Sequence, residues 1–294
     1  MELRQLKTFL VVAELLSFNQ AADALNFAQS TVSARIRALE EELGVPLFDR
    51  LGKKVALTEA GRIMVRYARK MADMEAETFA EVAGWEGPGG SISVRMPQSL
   101  GTYLLPRVLV RFQQQYPRVN LDINTCTFST LKQELRSGIT DMAFLLMDTI
   151  HEASLKSEIL GFVNLLFICS STAELSRRKV VRLEDMEQQT LLLPKYDCRY
   201  KSTFLQDLAE LKVTPAAVLE INSIETIKAC VEQGVGVTLL PEIAVQEELA
   251  QGRFASFQFE GESLETAILL ILHKDKWLSQ SMEAFIEEVR TCFC

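Results

Sequence analysis

Only two histidines, His151 and His273, occur among 294 residues, which leaves little material for a metal site. The six cysteines (Cys126, Cys169, Cys198, Cys230, Cys292, Cys294) are widely scattered and form no Cys-x-x-Cys pair, so reduced thiols are expected. The longest apolar run, Ala267–Leu272, is far too short to span a bilayer. The first residues carry Glu2, Arg4 and Lys7 on an amphipathic stretch, unlike the apolar core of an export signal. A cytoplasmic protein without a membrane segment is therefore expected. No G-x-x-x-x-G-K-[ST] loop and no G-x-S-x-G elbow is present. Gly87-Pro88-Gly89-Gly90 imitates a phosphate loop, but it follows a helical pattern and has no lysine. An enzyme built on this chain is thus poorly supported, and no cofactor or metal is expected.

What is present is an uneven distribution of charge. The formal net charge is −8, yet residues 1–70 hold eleven Lys/Arg against eight Asp/Glu, and the remaining residues hold twenty against thirty-one. A basic head on an acidic body keeps attraction to phosphates local. The apolar content of 48% and charged content of 24% are those of a globular protein, with length for two or three separate cores.

In the head, Leu3, Leu6, Phe9, Leu10, Ala13 and Leu16 recur at spacings of three and four, predicting a helix over 2–16. Ser17 and Asn19 open a second helix with Phe18, Ala21, Ala22 and Leu25 facing inward, and Asn26 suits the turn that follows. A third helix over 29–43 places Val32, Ile36, Leu39 and Leu43 on one stripe. At about 100° per residue, Ser30, Ser33 and Arg37 fall on the opposite face, with Gln29 at the start. Glutamine can bond adenine twice in the major groove, serine can reach a base edge or phosphate, and arginine can do either. Gly44 ends that helix, and Asp49–Leu57, with Arg50, Lys53 and Lys54 around Gly52, predicts a hairpin wing against the phosphate backbone. A three-helix unit with a merely solvated polar face is the alternative; the basic wing and the local charge bias argue against it. Thr58 then caps a long helix over about 59–83, in which Ala60, Met64, Tyr67, Met71 and Met74 make a seam narrow enough for helix pairing. Packing of that seam onto the chain's own body is the alternative.

From residue 91 strands alternate with helices: strands at Ile92–Met96, Val119–Asn124 and Asp141–Leu146, and helices at Thr102–Gln115 and Ser129–Ser137. A second set runs from Asn164 to Phe259, and a last strand spans Thr266–Leu272. Such alternation predicts parallel β-α-β units.

Specific residues at fixed spacings carry a family likeness. They are Phe9, Ala21-Ala22, Ser33 to Ile36, Leu39-Glu40, Leu43-Gly44, Leu47-Phe48 with Arg50, and Leu57-Thr58 with Ala60-Gly61. Weaker landmarks follow in Tyr103–Pro106, Leu135 to Asp141 and Gly234–Pro241. Together they cover nearly the whole chain, which resembles the LysR-type bacterial transcriptional regulators. The resemblance implies an α plus α/β protein: a winged helix-turn-helix (1–58), a dimerising linker helix and hinge (59–90), and a two-lobed effector domain (91–294) like the periplasmic binding proteins. Lobe I would take about 91–162 and 266–294, and lobe II about 163–265. The implied partners are double-stranded promoter DNA with an interrupted palindrome, a small-molecule effector, and further copies in a homodimer or homotetramer, with RNA polymerase as a candidate contact. Ala34 stands where many members have a polar or basic residue, leaving Arg35 as a partial replacement on the DNA side, and Pro97 stands where many have serine.

Open α/β sheets bind ligands at strand ends and helix N-termini, whose free N–H groups favour anions. The candidate effector residues are Gln98, Ser99, Thr102, Thr127, Ser129, Lys195, Cys198, Tyr200, Asn222 and Ser223, and an anionic effector is expected. Ser, Thr and Asn at such places are also ordinary helix caps. Cys198, beside Arg199 and Lys201, resembles the reactive cysteine of peroxide-sensing members, but Phe204–Leu211 supplies no second cysteine. A thiol-based redox sensor acting through Cys198 is the alternative to effector control, and a plain structural cysteine is the third reading. A solute-binding module whose head serves only for oligomerisation is a further rival, as is the enzyme.

Overall fold

Helix α1 (Leu3–Leu15) starts where Gln5 Oε1 accepts from the Glu2 N–H at 2.8 Å, and ends at Leu16, whose φ of 47° turns the chain back. Ser17 caps α2 (Phe18–Leu25) by accepting from the Gln20 N–H, and Asn26 closes it in the left-handed region. Helix α3 (Gln29–Leu43) stops at Gly44. Strands β1 (Phe48–Leu51) and β2 (Lys54–Leu57) form the antiparallel wing, with Phe48 opposite Leu57 and Leu51 opposite Lys54. Thr58 Oγ1 then accepts from the Gly61 N–H at 2.9 Å and starts α4 (Glu59–Val82). This computed structural model describes residues 1–51, 54–82, 89–125, 128–178, 180–195, 199–259 and 264–292.

The head has its own core. Leu6, Phe9, Val12, Ala21, Val32, Ile36 and Leu39 are buried together with Met64, Val65 and Ala68 of α4. Phe48 lies 5.4 Å from the Phe9 ring and 5.6 Å from Phe18, which pins the wing to the bundle. The expected seam on α4 is therefore divided. Ala60 and Met64 pack into the head, while Tyr67, Met71 and Met74 remain exposed, along with Ile63, Phe79 and Val82. Residues 83–88, which include part of the expected hinge, lie outside the described residues.

The body runs β3 (Gly90–Arg95), α5 (Gln98–Tyr103), α6 (Leu105–Gln115), β4 (Val119–Asn124), α7 (Phe128–Ser137) and β5 (Met142–Leu146). It continues through β6 (Leu155–Ser170), β7 (Val180–Val181), β8 (Thr190–Pro194), α8 (Arg199–Glu210), β9 (Ala217–Ile221), α9 (Ile224–Glu232) and β10 (Thr238–Pro241). Helix α10 (Gln246–Ala250), strands β11 (Phe254–Phe259) and β12 (Glu265–His273), and helix α11 (Gln280–Arg290) complete it. The expected single helix over 102–115 is two helices meeting at Leu104. Pro106 is the cause, because it has no N–H for the Thr102 carbonyl and its ring would collide with that oxygen.

The main sheet of the body is mixed rather than wholly parallel, and β8 and β9 form a separate two-stranded sheet. Strand β3 pairs in parallel with β4 and β5, and β8 pairs in parallel with β9, as β-α-β units require. Strands β12, β10 and β11, however, pair antiparallel with β5 or β6. Strand β6 runs unbroken through the expected lobe boundary. Its first half pairs with β12, and its second half, from Leu165, pairs with β10 and β11. Both lobes are thus laid on one sixteen-residue strand. Among the described residues no helix is long and apolar enough to cross a membrane.

Candidate DNA interface and effector cleft

The polar face of α3 is presented outward because its apolar stripe, Val32, Ile36 and Leu39, is fully buried beneath it. Gln29, Ser30 and Arg37 are exposed, and Ser33 is half-buried. Gln29 Nε2 donates to Ser33 Oγ at 2.9 Å, so these two side chains are already aligned along one side of the helix. Arg35 is placed differently from expectation. Its guanidinium donates to Thr8 Oγ1 at 3.1 Å and lies 4.3 Å from the centre of the Phe27 ring, so it ties α3 to α1 instead of reaching outward. Glu40 also works inside the head. One of its carboxylate oxygens accepts from the N–H groups of Leu47 (2.7 Å) and Phe48 (3.2 Å), fixing where the wing begins. Lys53 lies outside the described residues, as do the side chains of Arg50 and Lys54.

The linker helix does not end at the head. Arg69 of α4 contacts Asp141 at 3.3 Å, Lys276 pairs with the other oxygen of the same carboxylate, and the Ser93 N–H donates to it at 2.7 Å. Asp141 is buried, so three donors compensate the cost of removing its charge from water. Lys7 of α1 also reaches Glu75 of α4 at 2.6 Å. The orientation of the head is thereby tied to lobe I.

Between the lobes, the structure brings Gln98 to the Asn222–Ser223 turn. Gln98 Oε1 accepts from the Ile224 N–H at 3.1 Å, while Ser223 Oγ accepts from the Thr226 N–H at 3.2 Å. Two N–H groups of the α9 N-terminus that the sequence reserves for an anion are therefore occupied by the chain itself. Ser99 is buried, whereas Thr102, Asn222 and Lys195 are exposed. Tyr103 and Lys228 join this side of the cleft and were not among the expected residues. Tyr103 Oη accepts from Lys228 Nζ at 2.9 Å and pairs with Glu225, and Lys228 also meets Glu248 at 2.6 Å. Burial, then the hydrogen bond to Glu225, pushes the Tyr103 phenol up to about 12. A tyrosine inside the Tyr-Leu-Leu-Pro landmark was the available signal.

A second opening lies on the Tyr200 side. Tyr200 is buried and lines a cavity of about 350 Å³ with Arg199, Thr203, Met147, Asp148 and Thr266. Asp207 and Glu265 also border it, so one guanidinium faces three carboxylates among the described residues. That balance weighs against a purely anionic effector here, because unscreened acids repel an added anion. Thr127 and Cys198 lie outside the described residues, as does the Ser129 side chain.

Comparison with known proteins agrees with this arrangement. Residues 3–62 match the model of the bacterial regulatory helix-turn-helix protein, lysR family, and residues 86–293 match the LysR substrate binding domain. The chain is 35% identical over 294 residues, all of both sequences, to the uncharacterized HTH-type transcriptional regulator YwqM of Bacillus subtilis. It is 30% identical to the HTH-type transcriptional regulator CzcR of the same organism, covering 98% of this chain and 97% of the other. Among solved structures, a full-length OxyR from Pseudomonas aeruginosa shares the fold, with a TM-score of 0.71 at 23% identity over 100% of this chain and 94% of that one. With an outward recognition helix, a wing and a two-lobed body all in family register, the chain belongs to the LysR family: it is a DNA-binding transcriptional regulator with an effector-binding domain, and not an enzyme.

Proposed function

We propose that the protein acts in the cytoplasm as paired heads on an interrupted palindrome, with Gln29, Ser30, Ser33 and Arg37 in the major groove. Arg50, Lys53 and Lys54 of the wing rest on flanking phosphates in this reading. The observation that carries it is the polar face of α3, exposed over a fully buried apolar stripe. The exposed apolar residues of α4, Tyr67, Met71, Met74, Phe79 and Val82, supply the pairing face, so residues 59–90 serve dimerisation between a reading unit (1–58) and an effector unit (91–294). Two such dimers make the tetramer, and its acidic bodies stand where RNA polymerase docks beside a promoter. Footprinting on the DNA upstream of its own gene tests this. Gln29→Ala should weaken the footprint about tenfold and relax base preference at one position in each half-site. Lys53→Ala should weaken all sequences alike and flatten the salt dependence. Loss of base preference in neither variant would remove α3 from the groove.

For the cleft, the mixed charge around Tyr200 supports an effector that carries both an ammonium and a carboxylate, the carboxylate on Arg199 and the ammonium on Asp148 or Asp207. A thermal-shift series comparing amino acids with the matching dicarboxylates should favour the amino acids. That preference should vanish in Asp148→Asn if this lining is the binding site.

A further inference from the structure

The positive charge that is sparse in the cleft is concentrated elsewhere. A pocket of about 640 Å³ opens between α4 and lobe I, where Arg62 and Arg66 of α4 face Lys132 and Arg136 of α7, with His273 on its wall. Two acids are close by. Glu59 pairs with Arg62 at 2.8 Å, and Glu152 is shared by Lys132 and Arg136. Four cations against two acids leave a surplus of two positive charges, in a protein whose net charge is −8. Arg66 has no ion pair among the described residues, although it is half-buried.

The backbone around Arg66 is shaped to hold it. Gly138, at φ +76°, ends α7 directly against that side chain, and a Cβ there would fall 2.9 Å from Arg66 Cγ. His273 Nδ1 accepts from the Asp275 N–H at 3.3 Å, which leaves Nε2 as the donor of the neutral ring. Burial chiefly holds this imidazole below its usual range; Asp275 opposes it next, and the smaller influences of Arg66, Lys274 and Arg136 add to the lowering. The pocket is thus positive in its composition, and it shares no lining residue with the cavity at Tyr200.

We propose that this pocket binds a small phosphate-bearing molecule, with Arg66 and Arg136 as its principal ligands and Lys132 and His273 as further donors. A phosphate group at neutral pH carries close to two negative charges and three acceptor oxygens, which suits a surplus of two cations with forked donors. Because Arg66 belongs to the linker helix and Arg136 to lobe I, the bound group fastens the two together. Its presence therefore favours the arrangement in which α4 lies on α7 over any in which they separate.

The test uses the full chain without DNA and follows thermal unfolding against inorganic phosphate and pyrophosphate at constant ionic strength. A saturable rise in Tm is expected with both, and none with chloride. Arg66→Gln and Arg136→Gln should each weaken the apparent affinity about tenfold, as loss of a charge-assisted bond implies. Arg199→Gln, in the other cavity, should leave it unchanged. Since Arg66 packs beneath Gly138, Lys132→Gln provides a variant at a side chain that is 40% exposed, with an expected loss of a few-fold. Equal protection by chloride, or unchanged phosphate binding in all three pocket variants, overturns the proposal. So does a result in which those variants lose only DNA affinity, which would make the cluster a contact to the DNA backbone.

Discussion

Gly61→Ala is expected to unfold the DNA-reading head while leaving the effector domain folded. A Cβ built on Gly61 would lie 2.1 Å from the Leu47 carbonyl oxygen and 2.9 Å from Leu57 Cδ2. The oxygen cannot simply move aside, because it accepts from the Thr58 N–H at 3.0 Å and so joins the wing to the start of α4. Relief requires α4 to slide away from the wing, which would also disturb Met64, Val65 and Ala68 in the head core. Overpacking of a closed site costs about 1–3 kcal/mol, and an overlap with backbone belongs at the upper end or beyond. Calorimetry should show an early transition separated from that of the body, together with loss of the footprint. Gly44→Ala is the control: nothing stands within 4 Å of the added methyl, so only its left-handed φ of 72° is strained, at about 1 kcal/mol. If both variants melted alike, close approach would not be the reason for glycine at position 61.

The same geometry recurs in lobe II, where a Cβ on Gly236 would meet the Thr190 carbonyl at 2.1 Å and that oxygen accepts from the Val237 N–H at 2.9 Å. Both glycines belong to the segments that carry the family resemblance. This is why the head was legible in the sequence: its helices are short, its caps are local, and its close approaches are marked by glycine. The α3 stripe and the Asn26 turn can be read without knowing any distant partner.

The body was less legible for a physical reason. Strand β6 is missing as one element from the sequence pattern because its first half is largely exposed on both faces, whereas its second half alternates briefly and is then buried from Phe167 to Ser170. Only the short stretch Val163–Phe167 alternates, which is too little to mark a sixteen-residue strand. Antiparallel pairing of β12 and β11 with β6 joins residues far apart in the chain, and periodicity holds no trace of that. The expected effector residues are polar groups in capping places, yet Gln98 fills the α9 N-terminus, a contact across 126 positions. Arg35 and Arg37 are two positions apart and so lie on different sides of α3; that Thr8 and Phe27 hold Arg35 is a contact the sequence pattern does not contain.

The second large effect is expected at Lys228, the buried cation on the closed side of the cleft. Its side chain is 8% exposed, and that of its partner Glu248 is 7% exposed. Arg253 reaches the same Glu248 oxygen only at 3.5 Å, and the second oxygen, Oε2, has no hydrogen bond among the described residues. Lys228→Met would leave this carboxylate buried and largely uncompensated, at a cost of about 3–5 kcal/mol. Changing both residues, to Met at 228 and Leu at 248, should recover most of that loss, because an apolar pair makes no demand for charge. Burial acts against the Lys228 charge, but hydrogen bonds to Glu248 and Tyr103 outweigh it, so its pKa is raised above the ordinary 10.5. A raised folded-state value means that the stabilisation is complete below the ordinary lysine range and is lost as pH climbs through the raised one. Tyr103, pushed up to about 12, acts in the same direction over the interval above 10. The urea midpoint of the wild type should therefore fall steeply above about pH 10. Lys228→Met should start lower and fall less. Because Tyr103 extends from α5 in lobe I to α9 in lobe II, the variant should also loosen the lobes, with faster amide exchange at Ile224, whose N–H bonds to Gln98. Unchanged exchange at Ile224 would confine Lys228 to the stability of lobe II, whereas faster exchange there makes the cluster the strap that holds the cleft shut.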